Sequence, residues 1–177
     1  SRPSSLLILD PSTSHYPAMT SAVFHCHVSV QTQDFDVSHE LQALRGADKR
    51  IGAVCSFVGL VRDMSAPHED APALQSMELE HYPGMTEKSL QAIVDEAATR
   101  WPLLSVVIIH RIGELLPGEQ IVFVGISSAH RAAAFAACDF LMDYLKTRAP
   151  FWKKCLFNEG GHWIAAKESD EEASKRW

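Results

Sequence analysis

The sequence predicts an α+β domain, and three observations predict it. Two long segments place apolar residues at steps of three and four, several others are short β-branched or alternating runs, and turn chemistry joins two of those runs into a hairpin. At 177 residues and 46% apolar content the chain is sized for one domain with a real core.

Taken in order, residues 1–20 are rich in Ser and Pro and read as a flexible N-terminal extension, with Met19 a candidate start and residues 21–177 the folded domain. The Leu6-Leu7-Ile8-Leu9 run is too short for a signal h-region. Val23 to Val30 partly alternates and predicts a strand, with His25 and His27 on one face. Two histidines at that spacing suit a metal, but no third ligand lies nearby in sequence, so no metal is expected. Ser38 to Arg45 predicts a short helix, Ile51 to Arg62 a long and mostly buried strand, and Ala66 to Pro72, with two prolines, a loop. Leu74 to His81 alternates as a strand until Pro83-Gly84 breaks it. Leu90, Ile93, Val94, Ala97 and Trp101 then form one helical stripe that Pro102 stops. Leu104 to Ile112 and Ile121 to Ile126 are β-branched runs around the turn residues Pro117-Gly118-Glu119, a β-hairpin. Ser127 and Ser128 are candidate N-caps for a helix from about Ala129 to Arg148, ended by Pro150. Near the C-terminus Ser169 and Glu172 have capping-box spacing, and Lys175 and Arg176 suit the end of a helix dipole.

Charge and cysteine usage exclude several function classes. Lys+Arg total 16 against 22 Asp+Glu, a formal charge of -6, which disfavours a diffuse grip on RNA or DNA and makes any anion site local. Cys26, Cys55, Cys138 and Cys155 are widely spaced, so neither a zinc site nor a disulfide scaffold is signalled, and a reducing cytoplasm is expected. No apolar stretch approaches the ~20 residues of a membrane span.

Two places carry chemistry. Ser127-Ser128-Ala129-His130-Arg131 puts cations and backbone N–H groups at a helix start, where an arginine is unfavourable unless an anion lies between it and the dipole. Within that helix, Arg131, Phe135, Cys138, Met142 and Lys146 fall on one stripe. Stripes of this kind are usually core, yet this one begins and ends with a cation and leads into the basic, aromatic Phe151-Trp152-Lys153-Lys154. From the residues alone, Lys146 is either an acid, base or nucleophile or a snorkelling lysine at a helix C-terminus.

Five ordered segments across about residues 50–177 resolve that choice: Phe57-Val58-Gly59-Leu60-Val61-Arg62, Leu79-Glu80-His81-Tyr82-Pro83-Gly84-Met85, His110-Arg111-Ile112-Gly113-Glu114, Ser128-Ala129-His130-Arg131, and the run from Asp143 to Lys153 containing Tyr144-Leu145-Lys146-Thr147-Arg148. Together they resemble the molybdopterin synthase large-subunit family. The resemblance implies an α/β hammerhead fold with a small additional antiparallel β subdomain. It also implies a homodimer of large subunits within a heterotetramer, each binding a small ubiquitin-like subunit. The implied reaction is sulfur transfer from that partner's thiocarboxylated C-terminal Gly-Gly tail to cyclic pyranopterin monophosphate, precursor Z, with no cofactor. Carried over residue by residue, Lys146 and Lys153 are the catalytic pair. Arg62, His130, Arg131, Lys154, Cys155, Leu60, Val61 and Lys167 join them in substrate binding. The 66–72 loop is longer than in compact members, Leu60 and Cys155 stand where relatives carry polar residues, and Lys167 stands where an arginine is expected to reach the pocket of the other subunit. A docking module that has lost catalysis and an unrelated phosphate-ester enzyme built on His130-Arg131 are the competing readings. Retention of Lys146, Lys153, Arg62 and Arg131 together opposes the first.

Overall fold

The computed structural model describes residues 24–63, 73–157, 160–164 and 174–177. The expectations for residues 1–20, the 66–72 loop, Lys167 and the Ser169–Glu172 capping box lie outside them. The described residues form β1 (His25–Gln31), α1 (Val37–Arg45), β2 (Ala53–Leu60), β3 (Leu74–His81), α2 (Met85–Arg100), β4 (Leu103–Arg111), β5 (Gly113–Leu115), β6 (Gln120–Ser128), α3 (Arg131–Arg148), β7 (Phe151–Phe157) and β8 (Gly160–Ile164). They make two four-stranded sheets, ordered β1-β4-β6-β2 and β5-β3-β7-β8. This is the α+β class expected, and every pairing of the second sheet is antiparallel.

The central strands of the first sheet are buried on both faces, which is why β4 and β6 read as nearly continuous apolar runs. Val106, Ile108, Val122, Val124 and Ile126 pack under the stripe of α2 (Leu90, Ile93, Val94, Ala97) and the inner face of α3 (Ala134, Ala137, Phe140, Leu141). The alternate residues Val107, Ile109 and Phe123 meet Leu44 of α1 on the other side. A Cβ on Gly125 would stand 2.3 Å from the Leu44 side chain, so only glycine admits α1 that close.

The expected hairpin exists, since Ile108 pairs with Val124 and His110 with Val122 antiparallel. Its connection does more than turn: Gly113, at φ +86°, bends the chain out of the first sheet. Residues Gly113–Leu115 then pair with Met77–Leu79 in the second. Neither β7 nor β8 was anticipated. In the sequence Phe151-Trp152-Lys153-Lys154 is a basic, aromatic segment whose consecutive lysines break the apolar alternation that marks a strand. The second sheet has its own core of Val61, Leu74, Met77, Leu79, Leu115 and Cys155.

At the C-terminus Arg176 donates to the Asp143 carboxylate at 2.8 and 2.9 Å and to Asp139 at 2.9 Å, clamping the chain end onto α3. Trp177 donates its indole N–H to Asp143 at 2.6 Å and meets Trp101 and Phe140 edge-on, both at 5.6 Å. Trp177→Ala removes a half-buried aromatic and one charge-assisted bond, so a loss of about 2–4 kcal/mol is expected from urea unfolding. A loss under about 0.5 kcal/mol, the range of ordinary surface changes, would show that the clamp does not hold α3.

Candidate active site

The run Tyr144-Leu145-Lys146-Thr147-Arg148 separates into structural and outward-facing positions. Tyr144 and Leu145 are buried in the main core. The Thr147 hydroxyl donates to the Asp143 carbonyl at 3.0 Å, and Arg148 crosses to the Glu96 carboxylate of α2 at 2.9 Å while lying over the Tyr144 ring. Lys146 is exposed, in the last turn of α3. It lines a groove of about 400 Å³ between α3 and β2, walled by Cys55, Ser56, Phe57, Phe135, Cys138, Asp139, Met142 and Asp143. The stripe expected to be core is therefore split. Cys138 is buried, whereas Phe135 is 64% exposed and, with Phe57 at 40%, opens the groove to solvent.

Lys153 and Lys154 follow on β7, both half-buried. Period-two alternation puts Lys153 on the face of Phe151 and Cys155, while Lys154 faces the other way and pairs across the ladder with Glu78. Thr86, fully buried at the start of α2, donates its hydroxyl to the Pro150 carbonyl at 3.1 Å and fixes the link between Lys146 and Lys153.

Leu60, Val61 and Arg62 end β2 beside the start of β6, where Leu60 pairs with Gln120. Leu60 and Arg62 are exposed. Val61 is buried in the same small core as Cys155, and its N–H and carbonyl are taken by Glu119 and Gly118 at 2.8 and 2.7 Å. The side chains of Val61 and Cys155 thus fix the seam between the sheets and have no open face toward a substrate. Because α3 returns along β6, its C-terminal end, which carries Lys146, lies toward the start of β6, the end at which β2 leads into Arg62.

His130 and Arg131 sit at the other end of α3. His130 is the N-cap without a side-chain capping bond, Arg131 opens the helix, and both are exposed. The serines expected to cap stand two and three residues before the N-cap, and Ser128 Oγ accepts the His130 N–H at 3.5 Å. The Ser128 hydroxyl donates to the Pro102 carbonyl at 2.8 Å, and Ser127 pairs with Ser105. What remains at this helix start is His130, Arg131, the unpaired first-turn amides general to helices, and no acidic residue. A contributor the sequence did not flag is Gly52. It donates its N–H to the Ser128 carbonyl, and a Cβ there would lie 2.3 Å from the Ala129 carbonyl, so only glycine lets this turn sit down on β2.

His110, which opens one of the five family segments, has no role assigned from the sequence. It is buried, stacked on Phe151 at 3.8 Å, and donates from Nδ1 to the Arg111 carbonyl at 2.8 Å. Burial, with smaller repulsion from Lys153 and His81, pushes its pKa down to about 4. An unfolded histidine titrates near 6.5, so between about pH 6.5 and 4 the unfolded chain binds a proton that the folded chain refuses. Stability is full above that window and falls as pH drops through it, by about 3 kcal/mol at most. His110→Gln should flatten this part of the stability-pH curve, and an unchanged slope would mean that His110 is not held neutral.

The adjacent Arg111 is also structural, donating to the carbonyls of Thr32 and Gln120 at 3.0–3.2 Å. Among the described residues no three His, Cys, Asp or Glu side chains converge as a metal site, and His25 and His27 are exposed on an edge strand. No described helix is long and apolar enough to cross a membrane.

The MoaE protein family model matches residues 30–148. The molybdopterin synthase catalytic subunit of Vibrio cholerae is 57% identical over 150 residues, 85% of this chain and 97% of the relative. The solved molybdopterin biosynthesis MoaE protein from Burkholderia ambifaria superposes with a TM-score of 0.72 at 48% identity, covering 86% of this chain and 97% of that one. A complex of subunits 1 and 2 of the molybdopterin-converting factor from Helicobacter pylori shares the fold, with a TM-score of 0.62 at 23% identity over 80% of this chain and 90% of that one. The chain belongs to the MoaE family, whose named relatives are molybdopterin synthase catalytic subunits.

Proposed function

We propose that this chain is the sulfur-transferring subunit of a molybdopterin synthase, working in the cytoplasm with a small ubiquitin-like partner on precursor Z. The observation that carries the reading is Lys146, held by a buried helix end at the mouth of an open groove, with Lys153 on the next strand and Arg62 at the end of β2. The groove is mainly apolar, as suits an extended peptide tail, and Lys146 lines it with an amine, as suits a thiocarboxylate. Lys146 pairs with the tail's terminal group and carries the proton as the sulfur attacks the pterin, while Lys153 steadies the charge that develops. Arg62, His130, Arg131, Lys154 and Lys167 supply the cations for the substrate's phosphate, and Leu60, Val61 and Cys155 shape the adjoining backbone. The Helicobacter pylori neighbour, named as a two-subunit complex, supports a small-subunit partner. A homodimer of this chain at the centre of a heterotetramer is part of the same reading.

Mixing the chain with precursor Z and a thiocarboxylated partner should yield the dithiolene product. Failure with a partner competent toward another large subunit would reduce the chain to a docking module. The tail itself is testable. Only a side-chain-free tail threads a narrow channel, so replacing the partner's last glycine by tryptophan should abolish transfer while docking persists. Normal turnover with that variant would contradict threading.

A further inference from the structure

Two of the four thiols meet in the groove. Cys55 on β2 and Cys138 on α3 both line it, both are free, and the Cys55 sulfur is an electrostatic neighbour of the Cys138 thiol. Cys26 and Cys155 lie elsewhere, on β1 at the far edge of the first sheet and in the core of the second. β2 is an edge strand, paired only with β6 among the described residues, so it can shift toward α3 without breaking a second ladder. Cys138 also lies two turns before Lys146, so their backbones are about 12 Å apart along the helix, with Met142 between them.

We propose that Cys55 and Cys138 form a reversible disulfide when met by a small-molecule disulfide, and that the bond narrows the groove leading to Lys146. The order of steps follows from the environment. Burial first, and then the neighbouring Cys55 sulfur and Asp139, push the Cys138 thiol up to about 12, so Cys138 stays protonated while half-buried Cys55 faces the solvent. Cys55 therefore attacks first as thiolate, breaking the S–S bond of the reagent and releasing one thiol. Cys138 then attacks the Cys55 sulfur of the mixed disulfide, giving its proton to the second departing thiolate. Two protein thiols are oxidised, one reagent disulfide is reduced to two thiols, and nothing else is consumed. The sulfurs must close to ~2.05 Å, which draws the edge strand onto the helix and narrows the groove that Phe57 and Phe135 also line. The bond chemistry is independent of the proposed sulfur transfer; only its effect on turnover rests on that reading.

The test uses the full chain alone, incubated with excess glutathione disulfide, quenched with an alkylating agent and mapped by mass spectrometry. A loss of about 2 Da and a cross-linked peptide pair holding Cys55 and Cys138, reversed by dithiothreitol, are expected. Cys55→Ala and Cys138→Ala should each remove the cross-link. Acylation of Lys146 by a small amine-reactive ester should slow several-fold in the oxidised chain and recover on reduction. A glutathione adduct that persists on Cys55 without cross-linking, or a cross-link to another cysteine, would overturn the pairing. Unchanged Lys146 labelling in the cross-linked chain would overturn the narrowing. If the reduced chain fails to transfer sulfur although the cross-link forms, the sulfur-transfer reading fails and the thiol pair stands.

Discussion

Lys146→Ala should lower turnover by a factor of about 10²–10⁴ with precursor Z and partner saturating, and leave the fold intact. The fold expectation is direct. Lys146 is exposed at the end of α3, alanine is a better helix former, and the neighbours that anchor this turn are the buried Tyr144 and Leu145 and the Glu96-paired Arg148. The activity expectation follows from the loss of both the charge that meets the thiocarboxylate and the proton carrier. Lys146→Arg separates the two, because a guanidinium keeps the charge and cannot give up a proton near neutral pH. Arginine should therefore preserve partner and substrate binding while recovering little of the rate. Lys153→Ala should be milder, and Lys175→Ala, at an exposed position of the C-terminal segment, serves as the unaffected control. A Lys146→Ala enzyme turning over near the parental rate would remove Lys146 from the chemistry.

The helix carrying Lys146 is legible because its C-terminal end is punctuated. Pro150 stops it, and the apolar positions on its inner face recur at helical spacing. The use of its outer stripe was not. A wheel puts Phe135, Cys138 and Met142 on one line but cannot show that β2 covers only part of that line and leaves a groove. Strand β3 was read to the residue because one face is buried and the other is not, whereas β7 was missed. Its Lys153 and Lys154 spoil the pattern, and its pairing partner is Leu79 and its neighbours, more than 70 positions earlier. Long-range pairing also decides Gly52 and His110, whose roles depend on Ala129 and Phe151 respectively. The family motifs marked several of these positions without distinguishing a residue that packs, such as Val61 or Arg111, from one that faces solvent, such as Arg62.

Mixing an Arg131→Ala protein with a Lys146→Ala protein, under conditions that allow subunit exchange, should restore activity that neither variant has alone. Arg131 and Lys146 open and nearly close one continuous helix, fifteen residues apart, so their backbones are separated by about 22 Å. Both side chains are exposed and lie on the same stripe, each leaving the helix sideways. Turning toward each other closes only part of the gap, which is too wide for one pterin phosphate to touch both within a single chain. The His130-Arg131 helix start nevertheless has what an anion site needs, with the Arg131 guanidinium beside His130, a positive dipole end and no acidic residue in the first turn. A two-fold dimer reconciles these facts if α3 of one subunit runs antiparallel to its copy, so that Arg131 of each chain reaches Lys146 of the other. Each heterodimer of the two variants then holds one site lacking both residues and one site lacking neither, so recovery should approach half the parental activity per heterodimer. No recovery, with exchange verified by native mass measurement, would confine the site to one subunit or remove Arg131 from it.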